Sequence, residues 1–406
     1  MRVLLSTIGS RGDVQPLVAF GIALRGLGQD ARFCVPPDFC DAIERLGFAA
    51  TPIGPELRAS TPAPPSSGSV PLSPERRRQL AEASVVAQFD TIASAARECD
   101  AIVAATALQI AARSVSEKAR IRYVFVAYSP NVLPSPHHAP PVLPPLPGQP
   151  LSSDAADYQT LWARDAERFD ALFGRPLNAS RAAIDLPPVT HVRDHVFTDE
   201  PWLAADATLA PWPPSSGVSV LQTGAWILED DRPLPRALET FLDAGEPPVH
   251  FGFGSMRAAA DTTTAMLASA RACGRRVVVS RGWANLSVPS NDSDCIAVDD
   301  VNHQTLFRRV AAVVHHGGAG TTTAAALAGA PQVIVPHIYD QHYWAERVRA
   351  LDVGAAHAPG QPTTGSLTAA LSHALTPDVA ARARLLSRSI ARDGAQVAAE
   401  RLISRT

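Results

Sequence analysis

Of the 36 lysine and arginine residues in this 406-residue chain, only Lys118 is a lysine. Together with the excess of alanine and proline, that scarcity reads as the coding bias of a GC-rich genome, and no function follows from it. The basic residues form no run interleaved with aromatics, and the formal net charge is only -3. Nucleic-acid backbones are bound by clustered Lys and Arg, so nucleic acid is not the main partner. Five cysteines, Cys34, Cys40, Cys99, Cys273 and Cys295, are scattered without a CxxC pair. They read as reduced thiols of a packed interior. No apolar run approaches the ~20 residues of a membrane span. The amino terminus enters a strand at once, without the layout of a signal peptide, so the expected location is cytoplasmic. GxGxxG is absent, as is the Gly-Lys-Ser/Thr of a P-loop, which argues against a dehydrogenase and a P-loop NTPase.

What is present is ample apolar residue, 46% of the chain, at a length that exceeds one usual core. Strand Val3 to Ser6, helix Val14 to Leu27 and strand Ala31 to Val35 open the chain. Helix Phe39 to Leu46 and strand Ala49 to Pro52 follow. Strands and helices alternating at these spacings define a parallel α/β sheet. A second such series starts at strand Val249 to Phe253, after the Pro/Ser/Gly stretch Pro211 to Gly217. The expected division is an N-terminal domain over 1–212, a linker over 213–222 and a C-terminal domain over 223–385. A final helix over 386–406 is expected to cross back to the first domain. Two segments break the rhythm, Ser60 to Pro74 and Ser129 to Pro150. The second is proline-rich, carries His137 and His138, and leaves the carboxyl end of a strand, where ligands bind in open α/β sheets. It is either an acceptor contact or a solvated loop.

Three motifs could carry chemistry. Gly9 to Pro16, GSRGDVQP, is a glycine turn entering a helix whose first turn holds Asp13. The glycines and free N–H groups favour a close anion, and Asp13 is either a helix cap or a general base facing a cleft. Val313 to Thr323, VVHHGGAGTTT, runs from strand through a His/Gly turn into a helix read as threonine-capped. Its convergent donors suit a pyrophosphate. Pro336 to Gln341, PHIYDQ, brings Asp340 and Gln341 to a helix start, as a sugar-hydroxyl pair or as an N-cap. The histidines lack metal-ligand spacing. Asp292-Ser293-Asp294 looks like a DxD metal motif but lies in a Pro/Ser/Asn context, so it reads as a solvated loop.

In this order the motifs resemble the family 1 glycosyltransferases, above all the bacterial enzymes that glycosylate glycopeptide-antibiotic aglycones, with sterol glucosyltransferases as relatives. The likeness extends through DLPPV at Asp185, TDEPWLAAD at Thr198, QTGAWIL at Gln222 and FGFGSM at Phe251. It implies the GT-B fold, two Rossmann-like parallel-sheet domains facing across a cleft. It also implies inverting transfer of a sugar from UDP or TDP to a hydroxyl of a small natural-product acceptor. Asp13 would be the base, and Ser10, Arg11 and Gly12 the first domain's diphosphate contacts. His316, Gly317, Gly318, Gly320 and Thr321 would form the phosphate cradle, and Asp340 with Gln341 the sugar pair. Ser255 would touch donor, Trp283 the nucleoside, and Val301 and His303 would begin the segment that holds the donor's nucleobase. His137 and His138 are the acceptor-side candidates, and neither metal nor cofactor is expected. Many relatives place a histidine in the first loop, where this chain has Ile8-Gly9-Ser10. The alternatives are a sterol glucosyltransferase, a nucleotide-sugar epimerase, and a silent homologue that activates a partner transferase.

Overall fold

Short apolar strands alternate with helices to build two separate parallel sheets. The computed structural model describes residues 1–60, 73–143, 157–213, 218–254, 262–283, 285–289, 292–358 and 361–404. The first sheet contains β1 (Arg2–Ser6), β2 (Asp30–Val35), β3 (Ala49–Pro52), β4 (Ala101–Ala105), β5 (Arg122–Ala127), β6 (Trp202–Leu203) and β7 (Leu221–Gln222). Its spatial order is β3-β2-β1-β4-β5-β6-β7. The second contains β8 (Val249–Gly252), β9 (Val277–Ser280), β10 (Cys295–Val298), β11 (Ala312–His315), β12 (Gln332–Ile334) and β13 (Gly354–Ala356), in the order β10-β9-β8-β11-β12-β13. In both sheets the chain runs out one way, then returns to the other side of its first strand. That reversal opens a crevice at the strand carboxyl ends, beside β1 and β4 in one sheet and β8 and β11 in the other.

The helices of the first half are α1 (Arg11–Gly26), α2 (Pro37–Arg45), α3 (Leu57–Ser60), α4 (Pro74–Ala95), α5 (Ala112–Ala119), α6 (Tyr158–Ala183) and α7 (Val192–Phe197). Those of the second are α8 (Arg236–Asp243), α9 (Thr262–Ala272), α10 (His303–Leu306), α11 (Ala319–Ala328), α12 (Gln341–Ala350), α13 (Thr364–Ala374), α14 (Pro377–Ser387) and α15 (Gly394–Ser404). Strands β4, β8, β9, β11 and β12 are buried at every residue. Such unbroken burial is what helices on both faces of a parallel sheet impose. None of the described helices is long and apolar enough to cross a membrane.

The two halves share apolar surface. Trp344, Ala345 and Val348 of α12 lie in one cluster with Leu203, Leu209 and Ala210. The last helix returns to the first sheet: Ala395, Ala398, Ala399 and Leu402 join Val3, Leu5, Leu17 and Phe20. Arg122 donates to the Leu402 carbonyl at 2.7 Å. At the crossing, a Cβ on Gly394 would lie 2.5 Å from the Ala225 carbonyl oxygen, so the two backbones meet only because a glycine stands there.

The sequence reading needs three corrections. The residue pattern predicts a helix over Leu108 to Ala119, whereas helix α5 starts at Ala112. Helix α11 starts at Ala319 with Gly318 as its N-cap, and no side chain caps it, so the threonine cap is wrong. The 26-residue α6 was missed; Asp157 caps it by accepting from the Thr160 N–H at 2.7 Å. Buried Arg181 of α6 donates to Ser114 Oγ at 2.8 Å and to Glu117 at 2.6 Å, and His195 Nε2 lies 3.0 Å from the same Ser114 Oγ. This Ser-His-Glu grouping ties α5, α6 and α7 together. Ser114 is wholly buried, which denies it a substrate.

Candidate active site

The turn from β1 into α1 places Asp13 third in the helix, after Ser10 at the N-cap. Its carboxylate folds back on Ser10, accepting from the backbone and the hydroxyl. Its Oδ2 rests on Gly9, where an added Cβ would be 2.1 Å away. Tyr128 fixes the backbone from β5, donating its hydroxyl to the Asp13 carbonyl at 3.0 Å. Asp13 is half-buried. Burial first, and the Asp340 carboxylate second, push its pKa up to about 7, against the Ser10 hydrogen bonds. The cap and base readings are therefore satisfied by the same atoms. A Cβ on Gly12 would meet nothing within 4 Å, so the fold does not need that glycine; its bareness leaves room.

The turn from β11 into α11 is the second element. Gly317 has φ +95, and a Cβ there would lie 2.6 Å from Ile334 Cγ2, so only glycine fits. The His316 ring lies between two glycines: Cβ atoms on Gly254 and Gly318 would come within 3.3 Å of Cε1 and 2.7 Å of Nε2. Burial first, then His315 and His337, lower its pKa to about 3, so the imidazole is neutral. Its Nδ1 is buried without a hydrogen-bond partner. Gly320, second in α11, faces open space. A helix N-terminus with no capping side chain, beside a neutral imidazole, is a site for an anion.

The third element approaches from β12. Asp340 stands at the N-cap position of α12 but does not cap; its Oδ2 accepts from the Trp344 indole N–H at 2.9 Å. Burial raises its pKa to about 6. Gln341 uses its side-chain oxygen to accept from the His337 and Ile338 N–H groups at 2.8 and 3.2 Å. Tyr339, immediately before Asp340 and at φ +59, makes a two-bond bridge with Val142 of the first half, at 3.2 and 2.7 Å. The proline-rich loop is thus tied directly to the Asp340 turn.

Other residues fall as follows. The Trp283 backbone N–H donates to the Gly254 carbonyl at 2.9 Å, closing one loop onto the other. Val301 is buried; His303 stacks on Phe307 at 4.9 Å, and burial lowers its pKa to about 4. His138 sits among Trp162, Trp212 and Tyr343, with Nε2 3.1 Å from the Leu133 carbonyl; His137 is exposed. Ser255 lies outside the described residues. Arg271 bonds both Asp292 and Asp294, at 2.6 and 2.7 Å, so one guanidinium bridges the two carboxylates.

Two features escaped the sequence. Arg11 forms an ion pair with Asp300 of the second half at 2.7 Å, and Arg232 holds the other Asp300 oxygen at 3.3 Å. Burial would raise the Asp300 pKa, yet the two arginines hold it below the usual carboxylate range. Asn302 anchors the Val301 segment, donating to the Arg232 carbonyl at 2.9 Å and accepting from the Thr305 N–H at 2.9 Å. An Asn three residues before Thr305 was the available signal for this cap. Nothing local announces the Asp300 contact, which joins residues 289 apart.

Two doubly wound domains with their switch-point turns facing each other define the GT-B architecture. The comparisons agree. Solved structures of the glycosyltransferase of kitacinnamycin and of the spinosyn forosaminyltransferase superpose with TM-scores of 0.72 and 0.70 at 18% and 17% identity. They cover the whole chain, and 98% and 99% of theirs. Residues 3–134 match the glycosyltransferase family 28 N-terminal domain, and 264–395 the erythromycin biosynthesis protein CIII-like C-terminal domain. Glycosyltransferase GtfE of Amycolatopsis orientalis is 48% identical, covering 100% of this chain and 97% of that one. The vancomycin aglycone glucosyltransferase of the same organism is 47% identical over 99% and 97%. The chain belongs to the family 1 GT-B glycosyltransferases of antibiotic biosynthesis.

Proposed function

We propose that the chain transfers a sugar from a nucleoside diphosphate to a hydroxyl of a small natural-product acceptor, with inversion and with Asp13 as the base. Support comes from similar proteins: one is named a vancomycin aglycone glucosyltransferase, another, 43% identical, a dTDP-epi-vancosaminyltransferase. A solved structure of similar fold, VinC, is a complex with dTDP. The observation that carries the mechanism is a carboxylate whose pKa is pushed up to about 7, in the turn facing the uncapped α11 N-terminus. A base poised near neutrality takes the acceptor proton most effectively, and oriented N–H donors meet charge on the departing diphosphate.

In this mechanism the acceptor oxygen attacks the anomeric carbon as Asp13 removes its proton. The C–O bond to the diphosphate breaks in the same step, on the opposite face. The α11 N-terminus, His316 and Arg11 receive the developing charge; Arg11 reaches it by exchanging Asp300 for phosphate. Asp340 and Gln341 orient the sugar. These donors make a divalent cation unnecessary. Incubation with UDP- and TDP-sugars and a glycopeptide aglycone, in EDTA, tests the reading. Product of inverted anomeric configuration, assigned by NMR, is expected. Sugar isomerisation without acceptor would point to an epimerase, and inactivity despite nucleotide binding to the silent homologue.

A further inference from the structure

Directly beneath the cradle lies a histidine that touches no cleft. His315, the last residue of β11, is 0% exposed. Its Nδ1 accepts the Gly317 N–H at 3.1 Å, across the turn with φ +95. An accepting Nδ1 carries no proton, so the neutral ring holds its hydrogen on Nε2. That hydrogen points to Oε1 of Gln332, on the neighbouring strand β12, at 2.9 Å. The order of bonds fixes the tautomer, the ring orientation and the side-chain amide orientation together. Ionisable groups facing the ring are His250 from β8, His303 from α10 and His316 in the same turn. All are themselves neutral, held down chiefly by burial.

We propose that His315 is a positioning residue: locked by Gln332 as a single Nε2–H tautomer, it holds the Gly317 turn, and through it His316 and Gly318, in the form that binds a nucleoside diphosphate. This role rests on the donor-cradle reading above. The physical case is one of satisfaction. A buried N–H that loses its acceptor is costly, and a glycine turn relieves that cost by rotating. Rotation at Gly317 moves its two neighbours, His316 and Gly318, which the donor-cradle reading places against the diphosphate.

The test is calorimetric titration with UDP and TDP of the wild type, His315→Leu, His315→Asn and Gln332→Glu, with a melting curve for each. Asparagine places Oδ1 where Nδ1 stood; leucine has the same size and no acceptor. His315→Leu is expected to weaken binding by about tenfold or more, and His315→Asn to keep it within about threefold. In Gln332→Glu a carboxylate promotes the imidazolium, whose Nδ1–H cannot accept from Gly317. Its affinity relative to the wild type is expected to fall between about pH 8 and about pH 6. Nitrogen NMR of the donor-free wild type is expected to show the Nε2–H tautomer, and Nδ1–H would overturn the proposal. Binding that Leu leaves unchanged, equal losses in folded Leu and Asn variants, or no relative pH effect in Gln332→Glu would overturn this role alone. No nucleotide binding by the wild type would overturn the donor-cradle reading and this role with it. Should His315→Leu fail to fold, the tautomer and the Gln332→Glu pH dependence decide.

Discussion

The two facing turns match position by position and differ where chemistry differs. Ser10 and Gly318 are the N-caps, Arg11 and Ala319 follow, then Gly12 and Gly320, then Asp13 and Thr321. Both helices present a bare second residue to open space. At the third position one carries a carboxylate and the other a hydroxyl. A carboxylate repels a phosphate from its helix N-terminus; a hydroxyl adds a donor. In the proposed mechanism the same strand-turn-helix unit serves once as a base and once as an anion cradle. The difference lies in three of the four aligned positions, Ser10 against Gly318, Arg11 against Ala319 and Asp13 against Thr321, and in the left-handed Gly317, which has no counterpart in the first turn.

The comparison breaks first at Asp13. Asp13→Asn is expected to lose about 10² to 10⁴-fold in turnover, measured with saturating donor and acceptor. Near-full turnover would place the base elsewhere. Next comes the coupling across the cleft. Asp340→Asn removes the like charge that helps raise the Asp13 pKa, so the rise of kcat/KM with pH should shift to lower pH. An unmoved profile would mean the carboxylates do not sense each other.

The glycine pair sharpens the contrast. Gly12→Ala and Gly320→Ala should each stabilise the donor-free protein, by up to ~1 kcal/mol, since alanine favours the helix. Only Gly320→Ala should weaken UDP and TDP binding strongly; equal effects would make the two turns equivalent. A further effect is in stability against pH. Folded Asp13 holds its proton to about pH 7, whereas unfolded aspartate releases it near ~4. Its contribution to stability is present below the unfolded pKa and lost as pH rises through the folded one. The melting temperature of Asp13→Asn should therefore exceed that of the wild type at high pH, with the gap closing on acidification.

Much of this was legible in the sequence because it is local. The strands are short apolar runs, and Asp13, His316 and Asp340 each lie within a few residues of the strand end that presents them. What was not legible depends on distance. Arg11 reads as a phosphate contact until the fold brings Asp300 to it. Gln341 reads as a sugar ligand, while its oxygen also closes its own turn. The tautomer of His315 needs Gln332, 17 residues on, and no pattern in one strand can show it. Helix α6 begins only at Tyr158, beyond the proline-rich stretch, and its buried Trp162, Phe169 and Leu177 recur every seven or eight residues, a sparse stripe.

The division of labour between the turns is tested most directly by titrating UDP and TDP, in EDTA, into wild type, Asp13→Asn and His316→Ala. The account predicts tight binding of one nucleotide, unchanged or strengthened in Asp13→Asn and clearly weakened in His316→Ala. Weakened binding in Asp13→Asn with unaltered binding in His316→Ala would contradict it.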